Sequence, residues 1–496
     1  MQTSPRASPR TSPRRAATVL SAVWRNAACG LAWLLAPAPA WAAAGGAAAL
    51  AGQTSSRAPS PVPGLPWGLP FLGLLLSIAM LPALAPRFWA RRMGLVALAW
   101  SLALLLPRAA EAGFGAAASE AWHALLIEYL PFATLLLALY TAGGGVHLRG
   151  GPAGTPGGNT AMLALGVVLG LVVGTTAAAV VVIQPLLHAN AHRHRRTHLV
   201  LFLIVLVANA AGALTPLGNP PLYVGLLRGV PFFWPATHLL PHFLLLTGIL
   251  LAVFWLLDRR LAASERPAPR PQRLRLRGWG NVGLIALAAA TVLAQGYVHP
   301  GAVTLLGQSI GIERLAAIGM FIAVTEVSLH FTPRAIRQAN GFVWHPMAEV
   351  AMLFAGIFVT IGPVSAMLQA GLAGPLAPLL RLTLDGGGRP IPLLYFWLSG
   401  LLSAFLDNAP TYLVFFDLAG IRPQTLAGTQ ALILQAISAG ATFFGGLTYI
   451  GNAPNMMLRA IAAHRGVRMP GFIGFMLLSS ALLLPVFVLL SVVFFR

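Results

Sequence analysis

The sequence predicts an all-α polytopic membrane protein, with about ten spans and two re-entrant helical hairpins arranged as two inverted-topology repeats. Three observations predict it. The 496-residue chain is 57% hydrophobic and only 9% charged, where soluble proteins carry about 25% charged residues. Its mean hydropathy is +0.78, and several apolar runs approach the ~20 residues that cross a bilayer. One polar, helix-breaking phrase also occurs twice, as LTPLGNPP at 214–221 and LTYIGNAP at 447–454.

In chain order, residues 1–42 read as a secretory signal. MQTSPRASPRTSPRR is basic, NAACGLAWLLAPAPA is apolar, and Ala40-Trp41-Ala42 has the small-residue cleavage pattern. The alternative is an uncleaved anchor, because Arg25 interrupts the apolar stretch. The single cysteine, Cys29, falls in this segment, so thiol chemistry is not expected. Residues 43–66 read as a flexible leader.

A first transmembrane repeat, 67–258, holds spans near 67–86, 93–107, 127–145, 197–213 and 239–258. An Arg-rich, Pro-containing linker follows at 259–280. The second repeat, 281–496, holds spans near 281–298, 312–329, 348–369, 430–446 and 471–495. Two further apolar stretches, 161–187 and 392–416, are broken mid-way at VVGTTAAAV and AFLDNAPTY. Such breaks predict hairpins that return to their own side.

The net charge of +21 is carried by arginine, with no lysine. It does not point to nucleic acid, because the arginines sit in short loops between apolar runs. Placing the linker in the cytoplasm puts Arg87, Arg149, Arg193, Arg195, Arg196, Arg334, Arg337, Arg459 and Arg465 on the same side, and leaves fewer outside, among them Arg108, Arg228 and Arg314. A multi-pass protein of a bacterial-type inner (plasma) membrane is the expected setting.

Three landmarks recur in one order: Glu128 and Glu349 at the opening of a span, Thr175 and Asp407 in a broken hairpin, then Thr215 and Thr448 in the phrase. The chain crosses the membrane an odd number of times between copies, so the copies run in opposite senses. Inverted duplication is a signature of secondary transporters, with the site between the copies near mid-membrane. Gly and Pro in the phrase free main-chain groups from the helical ladder. The freed carbonyls, the Thr hydroxyl and the Asn amide oxygen suit Na⁺, and half-helix N-termini at the same place suit a carboxylate. The rival reading is a mere kink, since Gly and Pro are common in membrane helices.

With its duplicated hairpin and phrase, DNAPT and GNAPN included, the chain resembles the ion transporter superfamily over roughly residues 67–496 on the span count. That superfamily includes divalent-anion/sodium symporters, arsenite pumps and a class of Na⁺/H⁺ antiporters. The chain is most similar to the citrate transporter branch, often labelled sodium:proton antiporter. The resemblance implies a first substrate or cation site at Gly174, Thr175, Thr176, Thr215, Gly218, Asn219 and Pro220. It implies a second at Asp407, Asn408, Thr411, Thr448, Gly451, Asn452 and Pro454, with Asp407, Asn408, Thr448 and Asn452 as the Na⁺ candidates. The pattern departs from the symporters, because the first tip lacks an Asn and the second carries Asp407. The symporter relatives also imply a homodimer that moves a transport domain against a scaffold.

Asp407 is the candidate coupling residue, as a Na⁺ ligand or a proton carrier, because an ionisable group deep in a membrane is functional by default. Its structural alternative is to cap its own helix. Glu128 and Glu349 are expected to support the hairpins, and Glu326 to sit at the interface. HANAHRHRRTH at 188–198 offers His192, His194 and His198 to a metal, but a basic inside loop is the expected reading. No P-loop, HExxH or G-x-S-x-G occurs, so neither ATP-driven transport nor an enzyme is predicted. The expected function is cation-coupled (Na⁺ or H⁺) transport of a small carboxylate such as citrate, with Na⁺/H⁺ antiport as the alternative. No cofactor is expected beyond the coupling ion, and the expected partners are the lipid bilayer and a small ion.

Overall fold

The computed structural model describes residues 62–266, 270–298, 300–305, 307–420 and 423–496. The signal at 1–42, Cys29 and most of the leader lie outside the described residues.

The architecture is an all-α polytopic membrane protein. Helices α1 (Leu69–Leu84), α2 (Pro86–Ala112), α3 (Phe114–His123) and α4 (Leu130–Gly144) open the chain, with a π-helical turn at Ala124–Tyr129 joining α3 to α4. The first broken stretch folds as α5 (Pro156–Val173) and α6 (Thr175–Ala189). Then come α7 (Thr197–Phe202), α8 (Pro220–Leu227) and α9 (Leu240–Ala262). After the linker come α10 (Trp279–Tyr297), α11 (Ile312–Phe331) and α12 (His345–Gln369). The second broken stretch is α13 (Pro392–Phe405) and α14 (Asn408–Leu418), followed by α15 (Ala431–Phe443), α16 (Ala453–His464) and α17 (Phe472–Phe494).

Nine helices among the described residues are long and apolar enough to span a membrane. Two expected spans differ, and the nine include α5 (Pro156–Val173), the first arm of a stretch expected as a re-entrant hairpin, which is long and apolar enough to cross. The stretch 430–446 forms α15 and a 3₁₀ turn, Phe444–Leu447, too short to cross because the second phrase stops it. Helix α11 has the length but carries Glu313, Arg314 and Glu326. The third span is also longer than expected, running Phe114–Gly144. Glu128 therefore lies inside a helical stretch rather than opening it. The π-helical turn that carries it leaves the usual hydrogen-bond ladder locally rearranged.

Segments assigned by their arginines to one side touch one another. Strand β1 (His147–Gly151) pairs antiparallel with β2 (Gln272–Arg277) of the linker. The alternation of QRLRLR suits a strand, and Leu276 faces Leu148 across the pair. Glu265 accepts main-chain N–H groups of His194 and Arg195, each at 2.9 Å. Those two hydrogen bonds hold its carboxyl below the usual range. Thr197 donates to the Arg468 carbonyl at 2.9 Å. At the other end, Gln308, at the start of strand β3 (Gln308–Gly311), meets Ser119 and His123. Trp234 donates to the Ala427 carbonyl.

The core sits around the two broken helices. The stretch Thr197–Leu214 is apolar all round and 94% of it is buried, as a helix surrounded by other helices should be. Apolar residues such as Leu76, Leu98, Leu477 and Val493 are exposed on peripheral helices α1, α2 and α17, the surface a bilayer would cover.

One correction concerns the linker. Asp258, read as the residue just before it, lies one turn short of the end of α9 and is fully buried. It forms an ion pair with Arg193 and accepts from His198 at 2.8 Å and Asn159 at 2.8 Å. Asn190 and Asn159 exchange hydrogen bonds beside it. The 188–198 loop is thus held by a buried carboxylate in α9. Among the described residues no cluster of His, Cys, Asp and Glu suits a metal ion.

Candidate functional site

Each phrase interrupts a helix in the same way. Thr215 and Asn219 are extended, as are Thr448 and Asn452, and a turn lies between them. New helices start at Pro220 and Ala453, where a proline at N1 or N2 loses no hydrogen bond. Close backbone approach demands the glycines. A Cβ on Gly218 would lie 2.8 Å from the Gly212 Cα, and one on Gly451 would lie 2.8 Å from both the Ala404 and Gly445 carbonyl oxygens.

The phrases are tied to the hairpins. Thr215 donates to the Leu171 carbonyl at 2.5 Å and Thr448 donates to the Ala404 carbonyl, each reaching back 44 residues. Each hydroxyl also accepts the N–H of its own phrase glycine at 3.0 Å. The tips complete the tie. The Thr175 N–H donates to the Gly218 carbonyl at 3.1 Å. The Asn408 amide, with its nitrogen facing the phrase, donates to the Gly451 carbonyl at 2.8 Å.

The tips differ in backbone. Gly174 has φ 84 and ψ 149, a region nearly closed to other residues. Leu406 and Asp407 turn the second tip with ordinary negative φ values. Gly174→Ala should therefore lower stability by about 1–3 kcal/mol, and its new Cβ would lie 3.3 Å from the Leu217 carbonyl oxygen. Thermal unfolding in detergent checks this, and an unchanged midpoint would show that the tip relaxes freely.

Both tips and both phrases contribute to one cavity. Gly174, Thr175, Thr176, Gly218 and Pro220 line it from the first copy, and Asp407, Asn452 and Pro454 from the second. Its remaining wall comes mainly from α4 and α12, with Leu136, Leu139, Val350 and Phe354. Tyr140, Pro346 and Met347 extend it toward the helix ends nearest the Arg-rich loops. Among the described residues Asp407 is the only charged side chain in this lining, and it holds the N-cap position of α14. Helices α6, α8, α14 and α16 all begin at the cavity, presenting partial positive charge to it.

The structure does not bring Thr215, Asn219, Asn408, Thr411, Thr448 or Gly451 to the cavity wall. Thr411 bonds within its own helix, to the Asp407 carbonyl. Asn219 is 1% exposed, and neither of its amide atoms has a partner. Its counterpart Asn452 donates to the Ala208 carbonyl at 2.8 Å and to Asn209 at 3.1 Å. Glu128 meets Arg228 at 3.4 Å. Glu349 accepts from Trp89 at 3.3 Å. Among the described residues neither carboxylate accepts a hairpin N–H.

Sequence reasoning missed several residues here. Asn209 donates to Asn455 at 2.9 Å where the broken helices cross, and Asn455 donates to the Gly445 and Thr448 carbonyls freed by the second break. Asp417, 4% exposed, pairs with Arg228 at 3.1 Å and accepts from Ser365. The usable signal was a lone polar residue in an apolar run, as in VLVANAAG and VFFDLAG.

Residues 61–495 match the family described as "Putative citrate transport". The chain belongs to this family. The citrate-transport family match covers both phrases, both hairpins and every residue of the cavity wall. The chain is also similar to an uncharacterized transporter of Mycobacterium bovis and one of Mycobacterium tuberculosis, each 25% identical over 278 residues. A 46 kDa membrane protein of Mycobacterium leprae is 25% identical over 281 residues. These alignments cover 53% of this family member and 59% of each relative, so the chain spans about three-fifths of the length of those relatives.

Proposed function

We propose that the protein is a secondary active transporter that moves a small carboxylate such as citrate, coupled to Na⁺ or H⁺. The observation that carries this reading is the convergence of both hairpin tips and both phrases on one cavity. Four helix N-termini, each equivalent to roughly +0.5 charge, favour an anion there. Asp407 supplies the negative charge that a coupling cation needs. The unpartnered Asn219 amide, directly between cavity-lining Gly218 and Pro220, supports a ligand at the first copy. A buried amide without a partner costs about 1–3 kcal/mol, a cost that ligand binding or local rearrangement can relieve. The inverted relation of the two copies is part of the proposal, as is the homodimer. Family membership and the transporter names of two relatives accord with this reading.

A second reading, Na⁺/H⁺ exchange, is favoured by one observation. Among the described residues no arginine or lysine side chain lines the cavity to neutralise a carboxylate, and Asp407 alone is enough to alternate between Na⁺ and H⁺. Liposomes holding the purified protein separate the two. Under an imposed Na⁺ or pH gradient, gradient-dependent uptake of labelled citrate is expected. A Na⁺-driven change of lumenal pH with no citrate uptake would replace the first reading by the second. If neither signal appears under either gradient, both fail.

A further inference from the structure

A second cavity, of about 210 Å³, lies on the other side of the core, lined by Glu128, Arg228, Arg314 and Phe358 among others. Two guanidinium groups and one carboxylate line this wall, and the buried Asp417 beside it pairs with Arg228, which leaves Arg314 as the cation without a carboxylate of its own. Arg314 has no carboxylate within ion-pair distance among the described residues. Its side-chain hydrogen bonds go only to main-chain carbonyls, Leu227 at 3.2 Å and Ile127 at 3.4 Å. Arg228 is held at 3.1 Å by Asp417, but its contacts with Glu128 are long, 3.4 and 3.5 Å. A guanidinium that meets only carbonyls suits a planar carboxylate, which accepts two parallel N–H donors, and the long Glu128 contacts leave the Arg228 Nη2 end able to join it.

Its position gives this chemistry a use. Phe358 lines the second cavity and Phe354, one helical turn away on α12, lines the first. Phe132 stacks on Phe354 at 4.7 Å and meets Phe358 edge-on at 5.6 Å. Three rings thus part the cavities. The first cavity reaches toward the Arg-rich loops. The second lies toward the opposite ends of the same helices, beside the start of α11 and the end of α8.

We propose that the second cavity is an anion site, in which Arg314 and Arg228 bind a carboxylate group of the substrate on the face opposite the Arg-rich loops. Glu128 gives up its long contacts with Arg228 when the anion arrives. Service in transport rests on the function proposed above; carboxylate binding does not.

Phe358→Trp places a fluorescent reporter in the cavity wall. In nanodiscs holding the full chain, citrate at constant ionic strength should give a saturable fluorescence change. Arg314→Gln in that background should weaken the apparent affinity by about tenfold or more, and Arg314→Lys should weaken it less. Without the reporter, citrate should raise the unfolding temperature of the native protein more than that of Arg314→Gln. An absent citrate response in both measurements, or one that Arg314→Gln leaves unchanged, overturns the proposal. Citrate binding that obeys these expectations in a protein that transports no citrate would keep the anion site and remove the carboxylate-transport reading.

Discussion

Asp407→Asn should lower gradient-driven transport by about a hundredfold or more in liposomes while leaving the fold intact. The size follows from removing the only charged side chain among the described residues of the site cavity, where about 2.8 kcal/mol of lost cation interaction corresponds to that factor. The fold should survive because Asn is as good as Asp at a helix N-cap, the position residue 407 holds before α14. The pair of readouts separates charge from structure. An unchanged melting temperature with lost uptake fits a coupling role. Uptake at the wild-type level would remove Asp407 from the mechanism.

The second large effect concerns stability. Asp258→Ala should destabilise the protein by about 3–5 kcal/mol, read as an earlier thermal transition in detergent. The substitution leaves the Arg193 guanidinium, 4% exposed, without its carboxylate, and removes the acceptor used by His198 and Asn159. Replacing both partners by apolar residues, Asp258→Leu with Arg193→Met, should cost less than Asp258→Ala alone, since no buried charge is then stranded. A loss below about 0.5 kcal/mol for Asp258→Ala, the range of ordinary surface changes, would show that water reaches this cluster.

The sequence made the breaks legible because a helix stop is a local event. Gly218, Asn219 and Pro220 announce one by their own chemistry, and so do Gly451, Asn452 and Pro454. The hairpins were legible for the same reason, to within a few residues of Gly174 and Asp407. Which side chains face the cavity was not. Thr215 and Thr448 looked like cation ligands, yet their hydroxyls bond to carbonyls 44 residues earlier, a partner no local pattern reveals. Asp258 looked like the edge of a solvated linker because DRR follows an apolar run. Its burial depends on Arg193 and Asn159, which reach it from a loop and a helix far back in the chain. Glu128 looked like the opening of a span because nothing in ALLIEY signals a π-helical turn.

The Thr215 and Thr448 ties have a mechanical consequence. Each fastens a hairpin to its own phrase with a polar bond, so lifting one tip alone to free an ion would break main-chain hydrogen bonds in a dry setting. Across the cavity, toward Leu136, Leu139, Val350 and Phe354, the wall is greasy and makes no such demand. Apolar surfaces exchange neighbours at little cost, whereas fastened ones do not. Under the proposed function, the slip plane this arrangement favours runs between tips and wall, with each hairpin moving as one body with its own phrase.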